Sequence, residues 1–212
     1  DSAPSSAAPL AEAALWPVRL RVLDAEAQPM SGVAVRAEGG ESVLGTSGLG
    51  GWCVFQTRAE KLTLVAADPR WVTVHEGSPA RSSSVDPVLV LAPALELAGV
   101  VQDELGRPLR GAGVRYALPE GFRTRFTESL EATRTLGWRT STDENGAFRF
   151  ERVPAVTGAL LTAVLSGYER ADLAVPLVSA RDLFLVLARP ELPSTGTLRG
   201  RVLDAAGAPV AD

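Results

Sequence analysis

The chain has almost none of the side chains from which small proteins build reactive centres. Its 212 residues include one cysteine (Cys53), one histidine (His75) and one lysine (Lys61). One cysteine forms no disulfide within the chain, and one cysteine with one histidine cannot supply the three or four ligands of a zinc site. No apolar run approaches the roughly 20 residues that span a bilayer as a helix. An excess of basic charge is missing too. Residues 15–93 carry 7 basic and 8 acidic groups and residues 94–190 carry 12 of each, within a net charge of −4. Without a basic unit there is no electrostatic footprint for a phosphate backbone, so nucleic acid is not an expected partner.

Three sharper chemistries fail on the same scarcity. A Cys53/His75 nucleophile pair needs an orienting third group, and Cys53 lies in the apolar run Trp52-Cys53-Val54-Phe55, where it reads as a small buried hydrophobe. Asp143-Glu144-Asn145-Gly146 suggests calcium, but the EF-hand spacing wants an oxygen ligand at position 5 and glycine at 6. Here those requirements meet Ala147 and a glycine at position 4, so the segment reads as a hairpin turn. Internal Lys–Asn isopeptide bonds, found in some sandwich repeats of Gram-positive adhesins, need a lysine in each module, and Lys61 stands alone. No catalytic residue, metal or cofactor is expected, and the chain reads as non-enzymatic.

What is present is one phrase written three times. Val22-Leu23-Asp24 followed by Gln28-Pro29, Val101-Gln102-Asp103 followed by Arg107-Pro108, and Val202-Leu203-Asp204 followed by Ala208-Pro209 superpose with offsets of 79 and 101 residues. Each begins on alternating apolar residues, such as Trp16, Val18, Leu20 and Val22, the period-2 signature of a half-buried strand. Each then turns on an aspartate able to bond its own downstream backbone, and on a proline that fixes φ. Ala27 replaces the glycine found at 106 and 207. If that position needs a positive φ, the alanine is strained by about 1–2 kcal/mol.

Glycine-bearing loops then precede aromatic strands, Trp52-Cys53-Val54-Phe55 and Phe148-Arg149-Phe150, and each unit closes on an apolar run, Val88–Leu91 and Phe184–Leu187. Six or seven short strands per unit, with turns every 8 to 12 residues, predict β-sandwiches. The expected organisation is a linker over 1–14, one sandwich over 15–93, a second over 94–190 and, over 191–212, a linker and the first strand of a truncated third repeat. The short connector Ala92-Pro93-Ala94 predicts little freedom between the two sandwiches. The second carries an insertion at 117–139, in which Thr127–Arg134 could form a short helix. The chain is read as an excised or processed piece of a longer protein.

The second unit resembles the carboxypeptidase regulatory-like domain family. Gly99, Val101, Asp103, Gly106, Pro108, Leu109, Gly111, Ala112 and Val114 follow its opening signature, Thr142–Phe150 its T-D-x-x-G-x-F-x-F, and Gly167-Tyr168 its closing Gly-Tyr. The first unit is a divergent copy, departing at Ala27, Leu49–Trp52 and Arg70-Trp71. The resemblance implies an all-β fold of tandem seven-stranded Greek-key β-sandwiches, transthyretin (prealbumin)-like. It implies a non-catalytic module of a bacterial protein exported to the periplasm, the cell surface or the medium.

Two functions follow as expectations. Loops on such a scaffold could bind a polysaccharide or another protein or domain, with Phe122, Arg123, Arg125, Phe126, Trp138 and Trp71 as candidate contacts. Alternatively the sandwiches are a spacer or stalk, or an accessory domain of a larger peptidase. Trp16, Trp52, Phe148 and Phe150 are assigned inward, to the core.

Overall fold

A computed structural model describes residues 14–126 and 137–190. Most of the expected linker, the helix anticipated at 127–134 and the third copy of the phrase lie outside them. Thirteen strands follow in order: β1 (Trp16–Asp24), β2 (Ala34–Ala37), β3 (Val43–Thr46), β4 (Trp52–Thr57), β5 (Leu64–Ala66), β6 (Trp71–His75), β7 (Val88–Asp103), β8 (Gly113–Ala117), β9 (Trp138–Ser141), β10 (Ala147–Pro154), β11 (Leu160–Val164), β12 (Ala171–Ala174) and β13 (Ala180–Leu187). The only helical elements among the described residues are 3-10 turns at Leu49–Gly51 and Phe122–Arg125. The protein is an all-β sandwich.

Strand β7 ties the layers together. Its first part pairs in parallel with β1, from Arg21–Val88 to Asp24–Leu91, and antiparallel with β6, from Trp71–Pro93 to His75–Val90. Its second part pairs antiparallel with β10 and in parallel with β13. With β4 on the far side of β1, these strands make one six-stranded sheet. Facing its two ends are a three-stranded sheet, β3-β2-β5, and a four-stranded sheet, β9-β8-β11-β12.

Alternation decides which residues fill the space between layers. Val18, Leu20 and Val22 on β1, Cys53 and Phe55 on β4, and Leu89 and Leu91 on β7 close on Val35, Leu64 and Ala66. In the second half Leu97, Val101, Phe148, Phe150, Leu185 and Leu187 close on Val114, Tyr116, Leu161 and Ala163. Each fully buried Leu, Val or Phe contributes about 1.5–3 kcal/mol. Trp16 lies half-buried against the first of these clusters and donates its indole N–H to the Ala59 carbonyl at 3.0 Å. On the outer face Glu96 joins three strands by accepting Arg149 (2.6 Å) and Arg181 (2.7 Å), and hydrogen bonding from Arg181 holds its carboxyl below the usual range.

The inward assignment of Trp52 is corrected. Cys53 and Phe55 occupy the inner face of β4, so the pleat turns Trp52 outward with Val54. Its ring receives the Arg19 guanidinium at 3.8 Å and the Arg21 guanidinium at 5.1 Å, a cation–π stack on the outer face.

The sixth strand of each set follows two different paths. β6 buries Val72, Thr73, Val74 and His75 and adds to β7, whereas β12 alternates between half-buried and exposed residues and adds to β11. A strand buried on both faces stays in the central sheet. One with a single partly apolar face moves to the edge of the other.

The recurring phrase is one local structure. Asp24 Oδ1 accepts the backbone N–H groups of Glu26 (2.9 Å) and Gln28 (2.7 Å), and Asp103 Oδ1 accepts those of Leu105 (3.0 Å) and Arg107 (2.9 Å). Asp143 repeats the device with Asn145 (2.8 Å) and Ala147 (2.9 Å). Ala27 has φ 62°, matching Gly106 at 75°. A Cβ at Gly106 would meet nothing within 4 Å, so the backbone alone sets the cost. Ala27→Gly is therefore expected to stabilise the protein by about 0.5–1 kcal/mol, after the added freedom of glycine in the unfolded chain is subtracted. Gly106→Ala should cost a similar amount, and urea midpoints at unchanged slope would read both.

Candidate functional site

The candidate residues separate into three places. Phe122 and Phe126 are 3% and 7% exposed and pack edge-on with centroids 5.3 Å apart. Both belong to the core of the second half, so their faces are spent on packing and not offered to a ligand. Arg125 stays exposed, its guanidinium 5.8 Å from the Phe122 ring and one nitrogen donating to the Thr157 carbonyl at 3.4 Å. Arg123 is half-buried.

Trp71 and Trp138, 67 residues apart in the chain, line one cleft of about 220 Å³ where the halves of the molecule meet. Trp138 is also set edge-on against Tyr116 at 5.4 Å. Burial pushes the Tyr116 hydroxyl well above its ordinary pKa, leaving it a neutral donor to the Pro154 carbonyl at 2.7 Å. The cations of the cleft are committed to backbone. Arg152 donates to the Trp71 carbonyl at 2.6 Å, and Arg36 to the carbonyls of Ala37 (3.1 Å) and Gly40 (2.9 Å). The Arg152 contact ties one half to the other, and the Arg36 contacts close the loop that follows β2.

Cys53 is fully buried, and desolvation raises its thiol pKa, so the reactive thiolate is disfavoured. Its Sγ lies where a side chain on Gly45 would fall, 2.8 Å from an ideal Cβ. That is close packing beneath β3. His75 is also buried, on β6. Among the described residues no three His, Cys, Asp or Glu side chains converge as metal ligands, and no helix is long and apolar enough to cross a membrane.

One assembly was not anticipated. The outer face of β9-β8-β11-β12 holds a groove of about 430 Å³ lined by Gly113, Arg115, Arg139, Thr162, Val164 and Arg170. Its members come from four chain segments and acquire meaning only through strand register. The local signal was Gly113, a glycine inside a strand, which often marks close approach or open space.

No protein-family model matches the chain, and no curated protein matches it. Among solved structures it is similar to the shaft pilin SpaA from Lactobacillus rhamnosus GG, with 14% identity over 85% of this chain and 100% of the pilin and a TM-score of 0.31. A streptococcal ancillary pilin shares 12% identity over 84% of this chain and 63% of that one, with a TM-score of 0.36. The 3-chlorocatechol 1,2-dioxygenase from Rhodococcus opacus 1CP shares 15% over 46% and 61%, with a TM-score of 0.34. Overlaps this small carry no argument about function; what stands for this chain is its own all-β sandwich architecture.

Proposed function

We propose that the chain is a stiff, non-catalytic spacer in an exported or surface protein of a bacterium. In this reading it is built from two carboxypeptidase regulatory-like sandwiches, residues 15–93 and 94–190. The observation that carries it is β7, sixteen residues paired along both parts with no break at Pro93-Ala94. Bending there would have to break Ala155 N–H to Pro93 carbonyl (2.8 Å), Ala94 N–H to Arg70 carbonyl (2.8 Å) and the Arg152–Trp71 bond.

Apolar contact reinforces the strand. Leu23, Ala25, Val74, Val88, Val90 and Ala92 are buried in the same cluster as the core of the second half. A module made to flex would separate its cores by a solvated linker. Ligand binding by the insertion loop gains little support, because the Phe122 and Phe126 rings are interior.

Small-angle scattering of the 212-residue protein tests the reading, with a variant carrying Gly-Ser-Gly between Pro93 and Ala94 as the flexible reference. One rigid profile for the parent, and a broadened distance distribution with separate unfolding transitions for the insertion variant, is the expected result. A parent as flexible as the variant would remove the spacer role.

A further inference from the structure

The two halves share a scaffold, so a difference that the scaffold does not require points to use. Register places Arg139, Arg115, Thr162 and Asp172 in one row across β9, β8, β11 and β12. Like charges directly opposite in a ladder are destabilising, yet Arg115 and Arg139 are such a pair. The only acid of the row is already held. Arg170 grips Asp172 through two bonds (3.0 and 2.7 Å) and the Thr162 hydroxyl donates to it at 2.6 Å. Among the described residues neither Arg115 nor Arg139 makes an ion pair at contact distance; the Asp172 charge reaches Arg115 only through space, while its oxygens are bonded to Arg170 and Thr162.

The corresponding row of the first half is Val43, Arg36 and Val65, with Arg36 closed onto its own loop carbonyls. Three arginines are therefore no requirement of the fold. Gly113 adds a second, independent indication. Its φ is not in the left-handed region, and a Cβ there would find only ordinary contact with Val164 Cγ2 at 3.6 Å. Ala34 stands at the matching place. Neither backbone nor packing demands a glycine at 113, and its effect is to leave the groove floor bare.

We propose that this groove binds a carboxylated saccharide, a uronate of one or two rings. Its carboxylate sits between Arg115 and Arg139 and a ring lies over Gly113 and Val164. Guanidinium forks match a carboxylate in a charge-assisted, paired geometry. The groove volume falls in the range of small-ligand sites. A peptide is served worse, because β8 and β11 are interior strands whose backbone groups are spent in their ladders, and an extended peptide needs such partners. A neutral sugar finds no aromatic platform here. The site lies away from the Pro93-Ala94 junction, so its failure would leave the spacer reading untouched.

Calorimetric titration of the 212-residue protein with digalacturonate, its dimethyl ester and triglutamate decides the matter. Digalacturonate should bind, more weakly as salt rises, and the ester should bind at least about tenfold more weakly. Arg115→Gln and Arg139→Gln should each weaken binding about tenfold, and Gly113→Leu should abolish it. Arg189→Gln should change nothing, and unchanged melting temperatures would exclude misfolding. Absent digalacturonate binding, affinity unaltered in the double arginine variant, or binding of triglutamate alone would each overturn the assignment, the last in favour of an acidic peptide.

Discussion

Gly99→Ala is expected to cost on the order of 3–5 kcal/mol and to detach β13 from β7. Gly99 lies on the inner face of β7, opposite Leu183, where the β7–β13 register shifts between Ala180 and Leu183. The shift brings the Leu183 backbone over the glycine. An ideal Cβ at 99 would collide with the Leu183 carbonyl oxygen and lie 2.8 Å from the Leu183 Cβ. Backbone cannot rotate aside as a side-chain tip can, so the clash must separate the strands. The matching residue of the first half, Leu20, is fully buried, and the β1–β7 pairing beside it has no such shift. Hydrogen exchange should show the amides of Phe184–Leu187 losing protection while β1 and β4 keep theirs. An alanine variant within about 1 kcal/mol of the parent would mean that β13 does not approach this closely.

Gly146→Ala should be the second severe change, on the order of 3 kcal/mol or more. At φ 70° an L side chain already costs about 1 kcal/mol. The new Cβ would also lie 2.5 Å from the Val101 carbonyl oxygen and 3.0 Å from both Leu109 N and Pro108 Cβ. It would wedge into the hydrogen bond from Leu109 N–H to Val101 carbonyl (2.9 Å), beside the one from Val101 N–H to Gly146 carbonyl (2.8 Å). Gly51 repeats the arrangement against Val22 and Pro29, so Gly51→Ala should behave alike. Gly106→Ala, equally left-handed but facing open space, is the control at about 1 kcal/mol. Equal losses at 106 and 146 would show that conformation alone, without the close approach, accounts for the effect.

These glycines explain why two distant signatures recur together. The turn ending in Pro108-Leu109 rests on the hairpin glycine 146. Thr142, between them, donates its hydroxyl to the Leu109 carbonyl (2.6 Å) and accepts the Ala112 N–H (2.9 Å). Ser47 does part of this in the first half, accepting the Val33 N–H at 3.0 Å. The motifs are halves of one clasp.

Legibility followed the range of the interaction. Asp24, Asp103 and Asp143 could be read as turn makers because their partners lie two and four residues on; the glycines at 106 and 207 raised a positive φ at Ala27 as one of two readings, and the structure decided it. Phe148 and Phe150 could be placed inward by alternation. Trp52 went wrong because a short apolar run does not state its phase, and Cys53 and Phe55 set it. Phe122 and Phe126 could not be placed from the sequence, because a loop-like segment does not state which way its rings face; the 3-10 turn folds both into the core.

The sequence alone therefore determined the units of construction, strand and Asp turn and hairpin, and excluded a disulfide within the chain and a zinc site built from cysteine and histidine alone. Those depend on composition and on neighbours a few residues apart. Only the tertiary structure decided that β7 runs unbroken through both halves, that β6 and β12 join different sheets, and that Arg115, Arg139 and Arg170 share a groove. Each of these is a matter of register between strands distant in the chain. Register is fixed by the summed burial of whole faces, which no single stretch of residues contains.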